Sequence, residues 1–242
     1  MRVGGGVAGR RAERLGRGVS VRGDAALEAA LTPRVGCVVL AAGAGRRFGG
    51  EKLRARLGAE PLLQAAIDAA CGSSALACTL VVGAGAAQLL AAVDTRRCRV
   101  AINPKWQTGL ASSLRCGLGA HAGDDACIIM LGDQPLVTSA DLDRLIDVWS
   151  GRVYSTEEGH AAPAPIVALR TGDIWGAPVL FPRRDFAALL RLHGDAGAKR
   201  YAAQHLDRLT FVDALDARAF DDVDTPDDLT RLNGRGTRRI RR

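Results

Sequence analysis

The stretch VVLAAGAGRRFGGEK, residues 38–52, decides the fold. An apolar run without alternation enters it, which reads as a strand buried on both faces. A glycine-rich turn with Arg46 and Arg47 follows, and Glu51 and Lys52 close it. A dinucleotide fingerprint G-x-G-x-x-G needs its third glycine for close helix–strand packing. Here Gly43-Ala44-Gly45-Arg46-Arg47-Phe48 puts phenylalanine in that place. A Walker loop is matched in spacing by Gly45 and Gly50, but Glu51 stands where its lysine belongs. Two readings remain. One is an anion-binding loop, in which free backbone N–H groups with Arg46, Arg47 and Lys52 neutralise a triphosphate. The other is a tight glycine turn with solvated arginines.

Working outward, short apolar runs alternate with helical patterns. Residues 35–42 (VGCVVLAA), 77–83, 98–103 and 126–133 are expected strands. Residues 61–71, 86–93, 108–121 and 139–150 are expected helices, with Pro61 suited to a first helical turn and Ser139 or Thr138 to a cap. This alternation predicts an α/β fold with a mostly parallel central sheet and helices on both faces, in three layers. Beyond 150 the pattern loosens. Two extended segments, 161–170 and 177–182, suggest an edge or flap; helices at 184–193 and 196–206, a strand at 208–213 and a last helix from Thr225 follow. No repeat or Pro/Ser-rich linker divides the body, so a single domain is expected over 34–232.

The charge of +7 lies in the tails. Residues 1–34 carry a net +4 and residues 233–242 a net +5, which leaves −2 for 35–232. A slightly acidic body gives no basic face for nucleic acid. Residues 1–33 read as a disordered extension with a short helix at 24–31, and 233–242 as a basic tail. Arg10-Arg11 lacks the apolar run of an export signal, and no stretch approaches the ~20 apolar residues of a membrane span. The six cysteines, at 37, 71, 78, 98, 116 and 127, form no C-x-x-C pair. They read as small core residues of a reduced, cytoplasmic protein rather than as a metal or redox set.

A triphosphate needs a metal, and Mg²⁺ is usually held by one or two carboxylates plus the phosphates themselves. Asp133 follows an expected strand in LGDQP, at the end of a parallel sheet where ligands bind. Asp224 precedes the turn Thr225-Pro226. Taken singly, Asp133 could be a turn residue, and Asp227 and Asp228 are ordinary first-turn acids of a helix.

Six segments together give the chain a family likeness: LAAGAGRRFGGEK (40–52), NPKWQTGLASSLRCGL (103–118), LGDQPLV (131–137), GAPVLFPR (176–183), HGDAGAK (193–199) and DVDTPDDL (222–229). In this order the chain resembles the molybdenum-cofactor nucleotidyltransferases, the MobA-like NTP transferases, most nearly their CTP-dependent MocA-type branch. The resemblance spans 35–232 and implies a Rossmann-like nucleotidyltransferase fold. It implies that Leu40, Ala41, Ala42 and Gly43 line the nucleotide and that Gly45, Arg47 and Lys52 hold the triphosphate. Gly109 and Ser113 would lie by the base and ribose. Asp133 and Asp224 would hold Mg²⁺, with Mn²⁺ as the alternative, and Lys52, Arg47 and Asp133 would carry catalysis. Gln134, Pro178, Asp195 and Lys199 would face the pterin. The implied reaction joins CMP from CTP, or GMP from GTP, to the phosphate of Mo-molybdopterin. The product would pass to a molybdoenzyme or its maturation chaperone. Ala177 departs from the pattern, since His or Asn is common before PVLF.

Overall fold

The computed structural model describes residues 33–45, 48, 50–154, 163–221 and 223–234. The expected extension over 1–33, apart from Pro33, lies outside them, as does 235–242 of the expected basic tail. From Pro33 onward the described chain is built on a seven-stranded sheet. Its strands are β1 (Val35–Ala41), β4 (Ala77–Val82), β5 (Arg99–Ile102), β6 (Ala126–Leu131), β7 (Ile166–Thr171), β8 (Ile174–Pro182) and β9 (Leu209–Asp213). A two-stranded hairpin, β2 (Arg56–Leu57) with β3 (Glu60–Pro61), turns at Gly58 beside it. The sheet order is β5-β4-β1-β6-β8-β7-β9, and β8 alone runs against its neighbours.

Every residue of β1 is buried. Successive side chains of a strand point to opposite faces, and β1 separates two cores on that rule. Val35, Cys37, Val39 and Ala41 enter one cluster, while Val38, Leu40 and Ala42 enter the other. The first cluster is closed by α1 (Leu62–Gly72), α2 (Ala86–Ala92) and α4 (Ser139–Tyr154), through Leu63, Ile67, Leu89, Leu142, Leu145 and Trp149. The second is closed by α3 (Leu110–Leu118), α5 (Phe186–Leu189) and α6 (Ala198–Ala202), through Leu114, Leu118, Phe186, Leu189 and Tyr201. Three layers result, and a last helix, α7 (Pro226–Gly234), packs Leu232 on Leu62 and Val223 in a satellite core.

Two expectations are corrected. The pair β7–β8 is not an edge flap: β8 pairs with β6 inside the sheet, and β9 takes the edge beyond β7. Ile166 to Leu169 are all buried, and a run that apolar belongs where helices cover both faces. The helices foreseen at 184–193 and 196–206 are shorter, α5 and α6, with Gly194 (φ +60°) in the segment between them. A buried ion pair lies directly before α5. Arg208 donates from both terminal nitrogens to Asp185, at 3.0 and 2.7 Å, and Tyr201 donates to the same carboxylate at 2.8 Å. Arg208→Ala strands that carboxylate away from water, so we expect a loss of about 3–5 kcal/mol, read as a lowered urea midpoint.

Candidate active site

The loop after β1 folds back on a single carbonyl. Gly45, at φ +58°, accepts from the N–H groups of Phe48 (3.0 Å) and Gly50 (3.1 Å). Phe48 packs into the satellite core with Leu53, Leu57 and Val223, which explains a large apolar residue where a dinucleotide loop has glycine. Lys52 opens a 3₁₀ turn, Lys52–Arg54, and its side chain is only 8% exposed.

The ammonium of Lys52 lies between two carboxylates, 2.8 Å from Asp133 Oδ2 and 2.8 Å from Asp224 Oδ1. Burial works against its charge, but the hydrogen bonds and negative field of the two aspartates prevail, and its pKa is raised above the usual lysine value. Asp133 is carried in by the end of β6: Gly132 donates to Leu40 O at 2.9 Å, which pins the LGD turn to the tip of β1. Asp224 is carried in by the start of α7. The N–H groups of Asp224 and Thr225 donate to Asp228 Oδ2 at 3.1 and 2.8 Å, and Asp228 N–H returns a bond to the Thr225 hydroxyl at 3.2 Å. Thr225 therefore caps the helix, with Asp228 as the reciprocal partner of a capping box, and Thr225 holds the Asp228 carboxyl below the usual carboxylate range.

A cleft of about 570 Å³ opens at the carboxyl ends of β1 and β6. Of the residues singled out for nucleotide, Leu40, Ala41, Ala42, Gly43, Gly45, Lys52, Gly109, Ser113 and Asp133 all line it, and Asp195 joins them. Arg47 lies outside the described residues. Asp224 reaches the cleft through Lys52. Gln134, Pro178 and Lys199 are not in its wall. Gln134 is buried and donates to Ala177 O at 2.8 Å, which joins the β6 turn to β8. Pro178 is buried within β8. Lys199 is exposed, with its ammonium 5.2 Å from the centre of the Trp175 ring, a cation–π contact.

Two participants escaped the sequence reading. Trp106 supplies an aromatic wall to the cleft. Buried Asn103 donates to Ser112 and Ser113, at 2.8 and 3.0 Å, and so fixes the serine that faces the cleft. An aromatic inside the segment NPKWQTG was the available signal for the first; nothing local marked the second. Gly109 holds the same wall in place. Its φ is +104°, and a Cβ there would stand 2.3 Å from Gly194 C. We expect Gly109→Ala to cost about 1–3 kcal/mol in backbone strain and to raise the KM for nucleotide, read by thermal melting and initial rates.

The donor set fits a hard divalent cation. Asp133 and Asp224 each place an oxygen 2.8 Å from one point, the Lys52 ammonium. Among the described residues, no group of three His, Cys, Asp or Glu could hold a metal. Two carboxylates meeting a phosphate-bound ion is the arrangement usual for Mg²⁺, whose remaining ligands are phosphates and waters.

A mostly parallel sheet with a glycine loop after its first strand and paired carboxylates at the cleft is a setting suited to a nucleotidyltransferase. The chain belongs to the MobA-like NTP transferase domain family, which matches residues 37–209. Among solved structures it is similar to Rv0371c from Mycobacterium tuberculosis H37Rv, 30% identical with a TM-score of 0.68, covering 84% of this chain and 98% of that one. The same protein in complex with manganese is 30% identical, with a TM-score of 0.65, covering 83% and 98%. Among characterised proteins it is similar to nicotine blue oxidoreductase of Paenarthrobacter nicotinovorans, 28% identical over 83% of this chain and 97% of that protein. Among the described residues, no helix is long and apolar enough to cross a membrane.

Proposed function

We propose that the chain transfers CMP from CTP to the phosphate of Mo-molybdopterin in the cytoplasm, releasing pyrophosphate. The observation that carries this reading is the convergence of Asp133 and Asp224 on one cation position at the mouth of the glycine loop. An oxygen of the pterin phosphate forms the new bond to the α-phosphorus of CTP, and the bond to the β-phosphate oxygen breaks in line. Such chemistry asks for positioning and charge neutralisation more than for acid–base groups. Asp133 and Asp224 would hold Mg²⁺, or Mn²⁺ in its place, and the ion would supply charge neutralisation at the phosphates. The backbone of residues 40–45 receives the nucleotide, with Ser113 and Trp106 along the wall where its base and ribose lie. Lys52 and Arg47 face the triphosphate. Asp195, on the cleft wall, and Lys199, beside Trp175, meet the pterin. Gln134 and Pro178, both buried, are assigned to the same substrate. A molybdoenzyme or its chaperone takes the product.

A second reading has one specific support, the likeness to nicotine blue oxidoreductase over nearly all of that protein's length. It would make the cleft the site of an oxidoreductase. Incubation of the protein with Mg²⁺, Mo-molybdopterin and each of the four NTPs in turn decides between them. We expect pyrophosphate release with CTP above the other three. No release with any NTP, together with NADH or NADPH binding in a thermal-shift series, would replace the transferase reading by the oxidoreductase one.

A further inference from the structure

Four of the six cysteines, far apart in sequence, meet at the amino ends of the strands, across the sheet from the nucleotide cleft. Cys37 of β1 and Cys78 of β4 are paired in register. The register of β4 with β5 aligns Thr79 with Arg99, so Cys98 continues the same row one residue earlier. Adjacent strands are about 4.8 Å apart, and residues in register share a face. Cys37 and Cys78 are buried in one core cluster, and Cys71, at the end of α1, packs on it together with Cys98. Cys71 is tied to the segment before β5 twice over. Its Sγ lies 3.5 Å from Arg97 O, and its own carbonyl accepts from the Arg97 guanidinium.

We propose that Cys71 and Cys98 are a peroxide-sensitive thiol pair that closes reversibly to a disulfide. Position sorts the four cysteines. Cys37 and Cys78 are buried, whereas Cys71 and Cys98 are half-exposed and reachable from solvent. Cys71 interacts with the thiols of both Cys78 and Cys98. Those two contacts, the Cys78 one foremost, hold its pKa below the usual thiol range, with burial opposing and the Arg97 charge assisting. Its two thiol neighbours are pushed up, Cys78 chiefly by Cys37 and Cys98 chiefly by Cys71. A thiolate is the nucleophile in thiol oxidation, and partial exposure beside a second cysteine is the setting of a redox-responsive site.

The oxidant is hydrogen peroxide. The Cys71 thiolate attacks one peroxide oxygen, the O–O bond breaks, and Cys71 sulfenic acid and hydroxide result. The sulfur of Cys98 then attacks the sulfenic sulfur, the S–S bond forms, and its proton leaves with the hydroxyl as water. The two sulfurs together lose two electrons, which the peroxide takes up, and a dithiol reverses the process. The link would fasten the end of α1 to the start of β5.

The test uses the full reduced chain, treated with equimolar hydrogen peroxide, then unfolded in guanidinium chloride so that every free thiol is reached, alkylated with iodoacetamide and mapped by fragmentation mass spectrometry. We expect two of the six thiols to escape alkylation, a Cys71–Cys98 link in the fragments, and full recovery with dithiothreitol. Cys71→Ser and Cys98→Ser should each abolish the link, and Cys116→Ser should leave it. If Cys71→Ser fails to fold, Cys98→Ser, on a half-exposed turn, still decides. Six alkylated thiols in the treated wild type, a link that joins Cys78 instead, or an undiminished loss of thiols in Cys98→Ser would overturn the proposal.

Discussion

Asp133→Ala is expected to lower turnover at least ~10²-fold while the melting temperature stays near that of the wild type. The magnitude is that of removing one preorganised charge partner from a transition state. Two facts make this carboxylate costly for rate and cheap for stability. It shares one cation position with Asp224, so its loss halves the donor set at that position. It is also 30% exposed and contributes no core packing, so the alanine leaves no cavity. Steady-state rates beside a thermal melt check both halves. A near-normal rate would remove Asp133 from the site, and a collapsed melt would make it a structural residue.

Lys52→Met gives the second large effect, and it separates two roles of one side chain. In the structure the ammonium occupies the point on which both carboxylates converge, so it competes with a divalent ion for them. With the ammonium removed, Mn²⁺ added without nucleotide should bind more tightly, as titration calorimetry would show. Turnover should nonetheless fall at least ~10²-fold, because the cation that the triphosphate needs is gone. Methionine keeps the unbranched stem that is buried beside Leu53, so the local packing survives. Weaker Mn²⁺ binding in the variant would show that Lys52 organises the carboxylates rather than competing for them.

Much of this was legible in the sequence, and the limits have physical causes. The apolar run at 35–42 announced a strand covered on both faces, and β1 alternates between two cores accordingly. Phe48 and Glu51 excluded two familiar loops by residue type alone, and Phe48, partly buried, packs against the satellite core. The aspartates stood out through their local settings, a strand end and a helix start. Their meeting at Lys52, across 81 and 172 residues, is a product of sheet order and could not be read from spacing. The same holds for the cysteine row, which strand register assembles from positions without a motif. Gln134 sits within a quotable motif, yet it is buried against the Ala177 carbonyl, because a polar side chain beside a loop can satisfy backbone as readily as substrate. The hairpin β7–β8 was misplaced for a different reason. Its apolar run IVAL is as continuous as that of a central strand, and the Gly/Asp/Trp turn beside it drew the reading toward a flap.

Transfer of label tests the central claim most directly. CTP labelled at the α-phosphorus is incubated with the protein, Mg²⁺ and Mo-molybdopterin, and the pterin product is separated and counted. The label should move to the pterin in equal amount with the pyrophosphate released, and Asp133→Ala should abolish both. Label that stays in CTP, or that leaves only as free CMP whether or not the pterin is present, would contradict the account.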